Sequence, residues 1–144
     1  MTIDARGNSC DDQSPTGCKD RVVLCTGWAE ASDPDRATAI RQAKDEANRQ
    51  KDAAVADAEQ SVACPSDGCD SGEVCRRSGG WYVGHNAGTV TDRLVRDAAR
   101  VWHTRQRMYV EKRLGCHCVS ASAAASAKRD GDADALPNDD SILF

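Results

Sequence analysis

The chain has 144 residues, which suits one domain with flanking segments, and its formal net charge of −4 argues against a dedicated nucleic-acid binder. Large aromatic side chains are few, with one Phe, three Trp and two Tyr, and alanine supplies much of the 40% hydrophobic content. No apolar run approaches the ~18 residues of a membrane span, so the composition favours a small domain whose thin core needs further stabilisation.

Eight cysteines provide candidates for that stabilisation. They are Cys10, Cys18, Cys25, Cys64, Cys69, Cys75, Cys116 and Cys118. An even number of cysteines in a chain with a thin core is typical of a secreted, disulfide-linked domain. Because eight cysteines permit about 105 pairings, the sequence does not choose the connectivity.

The N-terminal stretch MTIDARGNSC contains no apolar segment, so it does not resemble a secretory signal. Either Met1 begins a processed or recombinant mature chain, or the protein is cytoplasmic with reduced or metal-bound thiols. We predict a secreted or cell-surface protein, because many cysteines with a small core are characteristic of that compartment.

In chain order, the first predicted elements are an arm and a strand. Residues 1–20 are polar and predict an irregular N-terminal arm held by Cys10 and Cys18. Residues 21–31, RVVLCTGWAEA, predict a β-strand, and both of its alternating faces are largely apolar. This strand is therefore expected to be central in a sheet or covered by another element.

The clearest predicted element is a long helix within residues 32–63, which ends at about residue 62. Pro34 suits the first helical position, and Asp35 complements the positive end of the helix dipole. Apolar side chains, almost all of them alanine, recur at helical spacing along one face: Ile40, Ala43, Ala47, Ala54 and Ala58. Such a stripe predicts close approach to a sheet or to another helix.

The second half of the chain predicts a loop, a second helix and a strand. Residues 64–80 combine cysteines with Gly and Pro and predict a loop, and HNAG, residues 85–88, predicts a turn. Residues 89–104 predict a shorter helix, with a long strand through Trp102 as the alternative. Residues 106–119 alternate in polarity and predict a strand.

Together these elements predict an α+β fold. A small, mostly antiparallel sheet is packed by one long Ala-rich helix and a second, shorter helix, with disulfide stabilisation, in a single domain over residues 21–119. Residues 120–144 are rich in small and acidic side chains and predict a flexible acidic tail with an apolar end.

The triplet Cys116, His117 and Cys118 resembles a metal-binding motif. On a strand, residues two apart point to the same face, so both sulfurs share a face that His117 does not. We predict disulfides that tie the last strand to two different neighbours, namely the 64–75 loop and the N-terminal arm. The alternative is a zinc-type thiolate site, whose ligands would be Cys64, Cys69, Cys116 and Cys118.

Charge segregation suggests a surface for protein partners. A basic run over residues 93–113 precedes the acidic tail, so the tail of one copy could dock on the strip of a neighbour and favour self-assembly. The apolar end SILF could act as a docking peptide or as an added strand. The candidate interaction residues are Arg100, Arg105, Arg107, Ile142, Leu143 and Phe144.

Motifs that signal catalysis are missing from the sequence: G-x-S-x-G, the P-loop, G-x-G-x-x-G and H-E-x-x-H. We predict a non-enzymatic, disulfide-stabilised structural or interaction module of an extracellular assembly, without a cofactor, that binds other protein chains including copies of itself. A thiolate zinc protein is the alternative. An enzyme that uses His85 or His103 is a weaker third hypothesis.

Overall fold

The computed structural model describes residues 2–122, which form a four-stranded, mostly antiparallel sheet and one long helix. The strand order is β1-β2-β4-β3, so β2 and β4 are central and β1 and β3 are edge strands. The elements in chain order are β1 Thr2–Asp12, β2 Arg21–Asp33, α1 Arg36–Ser61, β3 Glu73–Arg96 and β4 Trp102–Ser120.

The predicted second helix is wrong. Residues 89–104 form the end of β3, a turn and the start of β4. Side chains on the two strands join them: Thr91 donates a hydrogen bond to Gln106 (3.1 Å), and Arg107 binds Asp92 through two hydrogen bonds. Residues 2–120 therefore form a sheet with a single helix, because pairing with a strand further along the chain outweighs the local helical pattern.

Three local predictions change for a similar reason. Residues 73–80, expected to belong to the 64–80 loop, form the start of β3. Residues 2–12, expected to be an irregular arm, form the edge strand β1 next to β2. Residues 85–88, expected to be a turn, lie inside β3. These segments contain few large apolar side chains, so their strand conformation depends on hydrogen bonds to a neighbouring strand.

The chain divides into two compact units. Among the described residues, the first consists of residues 2–11, 24–58 and 84–111, and the second of residues 12–23, 59–83 and 112–122. The segment 123–144, which holds most of the predicted acidic tail, lies outside the described residues. No helix among the described residues is long and apolar enough to cross a membrane.

In the first unit, α1 packs on β2 through small residues. Ala29 and Ala31 of β2 are fully buried, and so are Ala43 and Ala47 of the helix. Gly27 lies against the helix backbone, since a side-chain carbon there would overlap the Ala47 carbonyl. The alanine stripe thus allows close approach of helix and sheet. A disulfide between Cys10 and Cys25 joins β1 to β2 on the same unit.

The second unit has a small core and three disulfides. Its buried hydrophobic residues, among those that the structure describes, are Val23, Leu114 and Cys116. Its bridges are Cys18–Cys75, Cys64–Cys116 and Cys69–Cys118. Since so few apolar side chains are buried, covalent links supply much of the constraint that a larger core would give.

Candidate functional site

The candidate site is the outer edge of β3 in the first unit, residues 84–96, called here the β3 edge. β3 is hydrogen-bonded to β4 on one side, and its other side ends the sheet. Its first eight residues, GHNAGTVT, contain neither a proline nor a Lys, Arg, Asp or Glu side chain. Most of these side chains are exposed, among them His85, Ala87 and Thr89.

On the side of residues 84–96 that faces β4, side chains of β4 contact the strand. The Asn86 backbone N–H donates to the Glu111 carboxylate (3.3 Å). A side-chain carbon on Gly88 would lie 2.9 Å from the Tyr109 hydroxyl, so glycine lets the tyrosine lie across the strand. These contacts fix the strand in an extended conformation while its outer backbone groups face away from the sheet.

Such an edge can recruit another strand. A sheet edge presents a row of backbone N–H and C=O groups that can pair with a second chain. Proteins usually prevent this with proline, lysine, bulges or very short edge strands. Residues 84–91 have none of these protective side chains, and no residue in this stretch has a positive φ. The β3 edge is therefore suited to strand addition.

Two arginines of the predicted basic strip, Arg105 and Arg107, are paired within the first unit. Arg105 bonds Glu30 (3.3 Å) and lies 3.9 Å from the centre of the Trp28 ring, and Arg107 pairs with Asp92 (3.0 Å). The hydrogen bond from Arg107 and the positive charges of Arg107 and Arg105 lower the pKa of Asp92, which keeps this carboxylate ionised. These arginines already have carboxylate partners.

The other predicted interaction residues fall in two places. Arg100 lies in the exposed turn between β3 and β4 and has a positive φ of 66°. Ile142, Leu143 and Phe144 lie outside the described residues. The described residues therefore include three of the six predicted interaction residues, namely Arg100, Arg105 and Arg107.

The cysteines predicted as zinc ligands form disulfides instead. Cys64 is bonded to Cys116, and Cys69 to Cys118, so none of the four is a thiolate in this form. Both cysteines of the triplet tie β4 to the 64–75 loop, whereas the predicted second neighbour was the N-terminal arm. The arm reaches that loop through Cys18–Cys75. His117 is exposed.

Sequence reasoning missed a hydrogen-bonded chain of four side chains. Ser32 lies 2.7 Å from His103 Nδ1 and donates to Asp4 (2.6 Å), while His103 Nε2 lies 2.7 Å from Asp97. The His103 hydrogen bond lowers the pKa of Asp97. These residues are far apart in sequence and carry no motif, so no local signal could have brought them together.

The four hydrogen-bonded side chains include the residue types of a Ser-His-Asp triad, but their arrangement is different. The Ser32 hydroxyl donates its proton to Asp4 and not to His103. General-base catalysis requires a ring nitrogen that accepts the serine proton. In this arrangement the four residues form a link between β1, β2 and β4.

Comparison with known proteins finds no matching family model, no matching curated protein and no matching solved structure.

Proposed function

We propose that this protein is a non-enzymatic, disulfide-stabilised interaction module of an extracellular or surface assembly, and that it self-associates through the β3 edge. The observation that carries the proposal is the unprotected stretch 84–91 at the end of the sheet. Four disulfides and no free cysteine among the described residues support an oxidising environment.

The partner we propose is a second copy of this chain. Antiparallel pairing of two β3 edges is self-complementary about a twofold axis, so one surface serves both copies. The stretch 84–91 carries no Lys, Arg, Asp or Glu, so two copies meet without repulsion between such groups. Val95, at the end of the same edge, is 44% exposed and adds apolar area to bury.

Two substitutions of alanine by lysine test this proposal. Ala87→Lys places a charge on the β3 edge, and the matched control Ala56→Lys places the same charge on the exposed face of α1. We expect light scattering over a range of concentrations to show a wild-type dimer. Ala87→Lys is expected to weaken it at least ~10-fold, which corresponds to about 1.4 kcal/mol.

The control variant should associate like the wild type. A monomeric wild type at all concentrations, or equal effects of the two substitutions, would exclude the β3 edge as the interface. A third variant separates edge pairing from docking of the acidic tail. Because Arg105 and Arg107 have carboxylate partners, deletion of residues 130–144 should leave the dimer intact at low and high salt. Loss of the dimer on deletion would instead assign association to the tail.

A further inference from the structure

Two disulfides of the second unit lie side by side. The sulfur atoms of Cys18, Cys69 and Cys118 are within 4.8 Å of one another, although these cysteines belong to two separate bridges. The fourth sulfur, on Cys75, is bonded to Cys18 at 2.03 Å. The four sulfurs of these two bridges therefore lie close together, although they come from three separate segments of the chain.

This volume matches the size of a zinc–thiolate centre. At a Zn–S distance of about 2.3 Å, a tetrahedral site separates its sulfurs by about 3.8 Å. Rotation about side-chain bonds can move sulfurs that are now within 4.8 Å to that spacing. As disulfides the same sulfurs are uncharged, whereas zinc binds thiolates. The oxidation state therefore decides whether these cysteines can bind a metal.

Accessibility distinguishes these two bridges from the others. Neither bridge contains a buried cysteine, and Cys118 is exposed. In contrast, Cys25 and Cys116 are buried, and each belongs to one of the remaining bridges. Because thiol–disulfide exchange requires access of the attacking thiolate to sulfur, Cys18–Cys75 and Cys69–Cys118 should open first.

Contacts other than disulfides hold the same segments together. A side-chain carbon on Gly68 would lie 2.5 Å from the backbone nitrogen of Cys18, so the chain before Cys69 packs directly on residue 18. Beyond the end of β4, the Ala121 N–H donates to the Gly72 carbonyl (2.8 Å). These contacts do not depend on sulfur oxidation, so they keep the four cysteines near one another after reduction.

We propose that Cys18, Cys69, Cys75 and Cys118 form a redox-controlled zinc site. A dithiol reductant gives two electrons and two protons to each bridge and becomes a cyclic disulfide, which leaves four thiols. One Zn²⁺ then displaces four protons and is bound by four thiolates. The site differs from the zinc set predicted from the sequence, because Cys64 and Cys116 form a separate, partly buried bridge.

Zinc content after mild reduction tests the proposal on the full chain. We expect the protein, treated with a dithiol and Zn²⁺ and then desalted, to retain about one zinc per chain. Cobalt in place of zinc should show the absorption of a tetrahedral thiolate centre. Cys69→Ser/Cys118→Ser should reduce retained zinc to background, whereas the matched controls Cys64→Ser/Cys116→Ser and Cys10→Ser/Cys25→Ser should keep it.

Three results would overturn the site: background zinc in the reduced wild type, full zinc retention by Cys69→Ser/Cys118→Ser, or equal binding by the oxidised protein. Circular dichroism of each variant shows whether it has folded, and two separate controls cover the failure of either one to fold. The test is independent of self-association, since the β3 edge lies in the first unit and these cysteines in the second.

Discussion

Gly27 of β2 lies directly against Ala47 of α1, and a side-chain carbon at residue 27 would overlap the Ala47 carbonyl oxygen and the Lys51 backbone nitrogen. Both residues are buried. The helix and the sheet approach so closely because Gly27 presents only backbone and Ala47 carries no more than a methyl group. This contact leaves no room for a side chain at residue 27.

Gly27→Ala should therefore destabilise the protein. The added methyl group has no room unless α1 moves away from β2, and such overpacking costs about 1–3 kcal/mol. Gly80→Ala is the matched control, because nothing lies within 4 Å of the added carbon and no positive φ is involved. Urea unfolding should show a change of no more than about 0.5 kcal/mol for the control. Equal stabilities of the two variants would contradict the close contact.

Glu46 should make the stability depend on pH in the acid range. Its buried carboxylate accepts hydrogen bonds from Gln50 (2.8 Å), Arg49 (2.7 Å) and Arg6 (3.2 Å). The bond from Gln50, followed by the bond and charge of Arg49 and the charge of Arg6, lowers the pKa of Glu46 from its ordinary 4.5.

Because the pKa is lower in the folded state, this carboxylate stabilises the fold above pH 4.5, and the contribution is lost as the pH falls through the folded value. Glu46→Gln should cost about 1 kcal/mol near neutral pH, since its partners Arg6 and Arg49 are largely exposed. The difference from wild type should shrink on acidification. A difference in unfolding free energy that stays constant with pH would contradict this assignment.

Ser32 and His103 should be energetically coupled. Their 2.7 Å contact joins β2 to β4, and each also bonds an aspartate. In a double-mutant cycle with Ser32→Ala and His103→Ala, we expect a coupling of about 0.5–1.5 kcal/mol in the free energy of unfolding. Single effects that add to within about 0.3 kcal/mol would show that the contact contributes nothing to stability.

Replacement of Arg105 by lysine should destabilise the protein, whereas the same replacement of an exposed surface arginine should not. Its guanidinium lies 3.9 Å from the centre of the Trp28 ring and also pairs with Glu30. Lysine cannot stack its charge in the same planar way, so Arg105→Lys should cost about 0.5–1 kcal/mol and change tryptophan fluorescence. Arg100→Lys, in the exposed turn, is the control and should leave the free energy of unfolding and the tryptophan fluorescence nearly unchanged.

Disulfide mapping checks the connectivity and the order of reduction. Proteolysis without reductant should yield linked peptides for Cys10–Cys25, Cys18–Cys75, Cys64–Cys116 and Cys69–Cys118. Graded reduction with alkylation should label Cys18, Cys69, Cys75 and Cys118 first, because the other two bridges each contain a buried cysteine. Any other set of linked peptides would contradict the arrangement of the second unit.

The sequence by itself determined the elements whose signal is local. β2 covers Arg21–Asp33, where alternation and apolar content predict a strand with both faces occupied. The helix α1 covers Arg36–Ser61, and four alanines of the predicted stripe are buried: Ala43, Ala47, Ala54 and Ala58. Helix periodicity and strand alternation are properties of neighbouring residues, so they can be read without knowing the fold.

Only the tertiary structure decided the rest, because it depends on residues that are distant in sequence. A helical spacing relates Leu94, Val95 and Trp102. Pairing between β3 and β4 nevertheless places Leu94 and Val95 in β3 and Trp102 in β4, on opposite sides of the turn. The predicted bridges of Cys116 and Cys118 were right in kind and partly wrong in partner. No local signal predicts the open β3 edge, because the strand order of the sheet creates it. No local signal predicts the adjacent sulfurs of Cys18 and Cys118 either, because distant segments of the chain bring them together.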